Sequence, residues 1–173
     1  MTFDLDAGLT VGETPSPYAV PLGVLSSASV THSDNSTINS IFADGGTNAS
    51  GGMNVSVRNA NGGNGLVSTG TPADMITSVT GTMAAGTARY GLCVDSATIT
   101  AFARSATYNT TCTLASATNA VIGLTTTATD ILTSTAPISS AHAVVVVNAT
   151  VAGATPAHAD YTDTLTFIAT ASY

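Results

Sequence analysis

The 173-residue sequence predicts an all-β fold, an antiparallel β-sandwich, on three observations. β-Branched Thr and Val recur throughout, and such side chains fit a pleated, half-buried surface. Several segments alternate apolar and polar residues with period two. Gly-, Asn- and Pro-rich turn signals come at short intervals, with no long helical pattern between them. Alanine is frequent, but it sits among Thr, Ser and Asn and reads as small-residue packing. A single domain over residues 1–173 has room for a core.

The elements follow in order. Thr2–Ala7 alternates strictly, with Phe3, Leu5 and Ala7 on one face of a half-buried strand. Residues 12–21 carry Pro15, Pro17 and Pro21, which exclude a central strand. Residues 1–21 therefore read as an extended N-terminal strand plus a Pro-rich connector, a unit suited to exchange with a neighbouring subunit. Leu22–Val30 reads as a second strand, Ser36–Phe42 is short and mixed, and Asp44-Gly45-Gly46 reads as a turn. Asn54–Arg58 alternates again and runs into Asn61-Gly62, a strong hairpin signal because both residues tolerate positive φ. Leu66-Val67 then begins the return strand.

Ala73–Ile76 reads as a helical turn, and Ala88–Val94 with Ala97–Ala103 as two strands around Asp95-Ser96. Tyr108–Leu114 carries the second cysteine, and Thr125–Leu132 fits either a strand or a turn of helix. Ala141–Val151 contains four successive valines, Val144–Val147, as in a strand covered on both faces. Tyr161–Tyr173 reads as one long strand. Leu165, Phe167, Ala169 and Ala171 share one face, and Thr164, Thr166, Thr170 and Ser172 the other, broken by Ile168. The architecture is Ig-like or jelly-roll-like in outline only. Trp is absent, and the cysteines are too close in sequence for an antibody-type bridge between sheets.

Composition excludes several functions. Charged residues make up 8% of the chain, against about a quarter in a typical domain. Ten acids face three bases, Arg58, Arg89 and Arg104, for a net charge of −7 with no lysine. Nucleic acid is not an expected partner, because phosphate binding needs clustered Lys and Arg. Anionic membrane surfaces are disfavoured likewise, and the acids read as keeping the particle soluble. No apolar run approaches the ~20 residues that span a bilayer. Met1-Thr2-Phe3-Asp4 lacks the basic and apolar regions of a signal peptide; a secreted chain would be numbered here from its mature form. Cys93 and Cys112 read as one disulfide, hence an oxidising compartment.

No constellation for catalysis stands out. His32, His142 and His158 each stand alone among Thr, Ser and Ala, without an H-E-x-x-H pattern, and read as surface or edge residues. G-x-S-x-G is absent, and Asp163 falls near the solvated start of the last strand. No catalytic or metal residue is assigned, and an enzyme is not expected. Asp4, Asp6, Asp34 and Asp44 are the acids suited to Ca²⁺, although turn formation is their simpler role. Otherwise no cofactor is expected. The N-x-S/T tripeptides at Asn35, Asn48, Asn54, Asn109 and Asn148 are numerous because Ser and Thr are. Four Phe and five Tyr fall mostly at strand positions, so no exposed aromatic platform for sugar stands out.

Three stretches together carry a resemblance: Tyr90-Gly91-Leu92-Cys93-Val94, Tyr108-Asn109-Thr110-Thr111-Cys112, and His158–Thr170 with its Asp160-Tyr161-Thr162-Asp163-Thr164-Leu165-Thr166-Phe167 core. With the opening Thr2–Asp6, they resemble secreted, Thr-rich β-sandwich surface proteins of uncultivated, candidate-phylum bacteria with reduced genomes. More loosely, the Thr-rich closing strand is similar in style to pilus and fibre subunits. The resemblance implies secretion and a sandwich, and transfers no catalytic residue.

These readings converge on a structural subunit of an extracellular, pilus-like filament or surface layer. Its partners are copies of itself, joined by β-strand pairing between subunits. Phe3, Leu5, Ala7, Leu165, Phe167 and Ala169 are the candidate assembly residues. The alternatives are a secreted binding module for carbohydrate or a host surface, and a viral coat or decoration protein.

Overall fold

The computed structural model describes residues 1–7, 16–33 and 41–173. Within them the chain is all-β. The strands are β1 (Thr2–Asp6), β2 (Thr31–His32), β3 (Ile41–Thr47), β4 (Met53–Asn59), β5 (Leu66–Ser68), β6 (Met75–Ile76) and β7 (Gly81–Thr82). They continue with β8 (Arg89–Val94), β9 (Ala103–Arg104), β10 (Ala120–Val121), β11 (Thr129–Thr133), β12 (Ile138–Thr150), β13 (Tyr161–Thr162) and β14 (Leu165–Ala171).

The valine strand organises the first sheet. β12 pairs antiparallel with β3 through Ile138–Val145 and with β8 through Val145–Thr150. Val145 meets Ile41 and Val94, and Asn148 meets His32 and Gly91, so β2 and β3 lie on one side of β12 and β8 on the other. β1 completes this sheet as an edge strand on β3, with Asp4 opposite Asp44. A bulge interrupts β12 between Ile138 and Ala141, where Ser140 has a φ of 53°. The second sheet runs β14-β4-β11-β9, and β14 pairs with β4 in unbroken register from Leu165↔Asn59 to Ala171↔Met53. Smaller sheets, β13-β5-β6 and β10-β7, complete the described structure.

Both faces of β12 are covered, as its sequence requires. Ala143, Val145, Val147 and Ala149 face the main core with Met53, Val55, Val57 and Leu132 of the second sheet. Val144 and Val146 face the other way, into a small cluster with Phe42, Cys93, Cys112 and Leu114. The Cys93–Cys112 disulfide, with S–S 2.03 Å, ties the loop around Cys112 over that outer face. It does not link the two sheets.

Several local expectations are corrected. Asp44-Gly45-Gly46 is the middle of β3 rather than a turn. A Cβ on Gly45 would sit 3.1 Å from the Thr2 carbonyl and 3.3 Å from Met53 Cε, so glycine here serves close approach within a strand. Leu22–Val30 forms no strand; Pro21 and Gly23 interrupt any ladder. Ala73–Ile76 ends in strand β6 rather than a helical turn. Of Ala97–Ala103 only Ala103 is in a strand, while Thr100 makes an isolated bridge to His142. The Asn61-Gly62 turn exists as a 3-10 turn, Gly62–Asn64, but β4 and β5 belong to different sheets and form no hairpin.

The closing strand is also divided. Asp163 and Thr164 separate β13 from β14, and the two pair in different sheets. The Asp163 carboxylate accepts from Asn59 Nδ2 at 2.7 Å and from the Asn61 and Thr164 N–H groups. It clamps the 3-10 turn against the break.

Candidate functional site

Two edge strands border the main concavity. A groove of about 1280 Å³ runs between the sheets, lined by Leu5 of β1, Ile41 of β3, Leu66 of β5, Val147 of β12 and Leu165 and Phe167 of β14. β14 is an edge strand: it pairs with β4 on one side and with no described strand on the other. Its inward residues Leu165, Phe167, Ala169 and Ala171 are only half-buried, and no described strand completes the sheet beyond them. Phe3 and Leu5 are half-buried in the same way, and Ala7 is buried just past β1. The structure thus brings Leu5, Leu165 and Phe167 of the candidate assembly residues to one groove.

Sequence reading missed the segment that lines the groove's open side. Tyr18, Val20 and Leu22 are half-buried and alternate with exposed Ala19 and Pro21. Val20, Leu22 and Leu25 pack against the main core. No backbone–backbone hydrogen bond joins residues 16–25 to another described residue. The strap is held instead by its side chains, with the Tyr18 hydroxyl donating to the Asp6 carbonyl oxygen at 2.8 Å. Burial first, then Asp6 and Asp4, pushes the Tyr18 phenol upward, so it stays a donor. The period-two signal was present in Tyr18-Ala19-Val20-Pro21-Leu22, but the prolines marked it as connector.

Polar groups gather at the Asp163 end of the groove. Tyr90 is buried there, and burial first, then the nearby Asp163, pushes its phenol upward. Burial holds the Asp163 carboxyl above the usual range, against its hydrogen bonds from Asn59, Thr164 and Asn61. Nearby, His158 Nε2 lies 2.6 Å from Asp74 Oδ2. Asp160 accepts from the Thr69 hydroxyl, the Gly70 N–H and the Ser68 hydroxyl, which bring its pKa down to about 2. Ser68 therefore points to a carboxylate and not to the His158 ring, so this Ser/His/Asp neighbourhood lacks a nucleophile–base contact.

On the outer face of the first sheet Asp4, Asp6 and Asp44 each place an oxygen within 4.8 Å of the others. Asp34, the fourth acid considered for Ca²⁺, lies outside the described residues, as does the tripeptide acceptor Asn35. Asp6 is buried and Asp4 exposed, and Asp44 stands between β1 and His142 of β12. Burial, Asp6 and Asp4 together raise the Asp44 carboxyl, and His142 partly offsets them. His142 also stacks on Phe42 at 5.3 Å between ring centroids. The cluster has the oxygen chemistry for a hard cation, although like charges also collect where two strands happen to pair.

The remaining tripeptide acceptors differ in access. Asn148 is fully buried and accepts from Asn119 Nδ2 within the outer cluster, whereas Asn48 and Asn109 are exposed. No helix among the described residues is long and apolar enough to cross a membrane. No family model matches the sequence, and neither a curated protein nor a solved structure matches it.

Proposed function

We propose that the chain is a structural subunit of an extracellular filament or surface layer, assembling through β-strand pairing between copies. The observation that carries this reading is the pair of incomplete edges, β1 and β14, facing one apolar groove. An edge strand offers a row of unpaired N–H and C=O groups to another chain, and an added strand can supply both ladder bonds and side chains for the groove. Natural edges are often guarded by lysine, and this chain has none. A head-to-tail contact of this kind leaves one edge free at each step and propagates as a fibre. The disulfide suits an oxidising, extracellular setting.

Electron microscopy of the native material, beside a truncation lacking residues 1–12, tests this reading. The full chain is expected to form polymers, and the truncation to remain monomeric or aggregate amorphously. Intact filaments from the truncation exclude the first strand as the connecting element. A strictly monomeric full chain at high concentration overturns the filament.

A further inference from the structure

We infer that residues 18–22 are a built-in place-holder for the groove, which is surrendered to β1 of a second copy; this rests on the filament reading above. Four observations carry it. First, the strap copies the incoming strand's side-chain pattern: Tyr18, Val20 and Leu22 point inward at every second position, as Phe3, Leu5 and Ala7 alternate in the sequence. Second, the strap lacks the ladder. Successive N–H groups of an extended chain alternate in direction, so those of residues 17, 19 and 21 would face one side. Prolines at 17 and 21 leave only Ala19 with a donor there. Thr2–Ala7 contains no proline and can bond along its whole length.

Third, among the described residues β14 has no partner on its outer edge from Leu165 to Ala171, beside half-buried inward residues that a further strand would cover. Fourth, β1 is the strand with a reason to move. At home its Asp4 stands directly opposite Asp44, an unfavourable like-charge pair. On β14, with its apolar face inward, its acids would lie over the face of Thr166, Ile168 and Thr170, with exposed Arg58 one strand beyond on β4. That face lacks the directly opposed acid of the home site, and Arg58 on β4 lies one strand nearer to the incoming acids than Asp130 on β11, which shares the face. The Tyr18–Asp6 hydrogen bond links strap and β1 within one subunit, so release of one loosens the other. The place-holder keeps an unassembled subunit's groove covered without committing its edge.

The test uses monomeric full-length chain, whose own β1 occupies the β3 edge, and a synthetic peptide of residues 1–12. Amide hydrogen exchange is read across β14, and peptide affinity is compared between the parent and Val20→Asp/Leu22→Asp, which unseats the strap. The expected result is at least about tenfold slower exchange at alternate amides of Leu165–Ala171 on peptide binding, and about tenfold tighter binding to the strap variant. A Leu5→Asp peptide is expected not to bind. Peptide binding that leaves β14 exchange unchanged, or equal affinity of parent and strap variant, overturns the place-holder. Those results leave the filament standing if microscopy shows one. Conversely, protection of β14 in a chain that never polymerises upholds the acceptor groove and removes the filament.

Discussion

Asp44 shows how one side chain can work against its own strand. It lies in β3 opposite Asp4, with Asp6 also close; burial first, then Asp6 and Asp4, raises its pKa, partly offset by His142. The folded protein therefore holds this proton more tightly than the unfolded chain does. Stability contributed this way is greatest at low pH and falls as pH rises from the ordinary carboxylate range through the raised value. Asp44→Asn is expected to raise the melting temperature at pH 7, with the gain shrinking as the pH is lowered through the carboxylate range. Thermal melts across pH check this; a variant equal to or less stable than the parent at pH 7 contradicts it. Asp44 was named from sequence as an acid of interest, but its neighbours were not legible. Asp4 and Asp44 lie in distant parts of the chain, and only strand register brings them together. Asp160 shows the opposite case, where three hydrogen bonds from residues 68–70 favour the ionised form.

At the scale of elements, the strands read best from sequence were those whose own pattern decides their burial. β12 has valines on both faces and is covered on both; β4 and β14 alternate and pair with one another. Short strands such as β6 and β9 carry too few residues for a period and exist only because a partner supplies the ladder. Gly45 reads as a turn from sequence because glycine permits both a turn and close packing, and the sequence does not name the Met53 and Phe102 side chains that need the space. The disulfide staples the loop around Cys112 to β8, and both cysteines are buried. Replacing both by alanine is expected to cost about 3 kcal/mol, the chain-entropy value for a loop of this length. Urea unfolding measures it, and reductant should reproduce the loss in the parent while leaving the variant unmoved.

For the whole molecule, stability rests on the apolar layer between the two large sheets. Leu132 is fully buried in that layer, beside the register shift in β11. Leu132→Ala is expected to destabilise by about 2–5 kcal/mol, the range for a buried leucine whose cavity relaxes only in part. Denaturant titration gives the value; a loss under about 1 kcal/mol would mean that the layer closes over the gap. Among the described residues the same layer is open at one side, where β1 and β14 end the two sheets and the strap lines the groove without backbone pairing. The sparse charge suits contact between copies, since burying charge is costly and faces of Thr, Ser, Ala and Val carry little of it.

Composition and local pattern were enough to specify the all-β class, the doubly covered valine strand, the alternation of β1 and β14 and the cysteine pair. Each is a local or compositional property: period two fixes which side chains share a face, and two buried cysteines in a small-residue chain find each other. Long-range packing, by contrast, splits the closing segment at Asp163 between two sheets and sets Asp4 opposite Asp44. The same packing lays a proline-marked connector along the groove between two edges. These depend on register and on which strands become neighbours, and such long-range pairings are set by the packing of the whole chain rather than by any segment's own pattern.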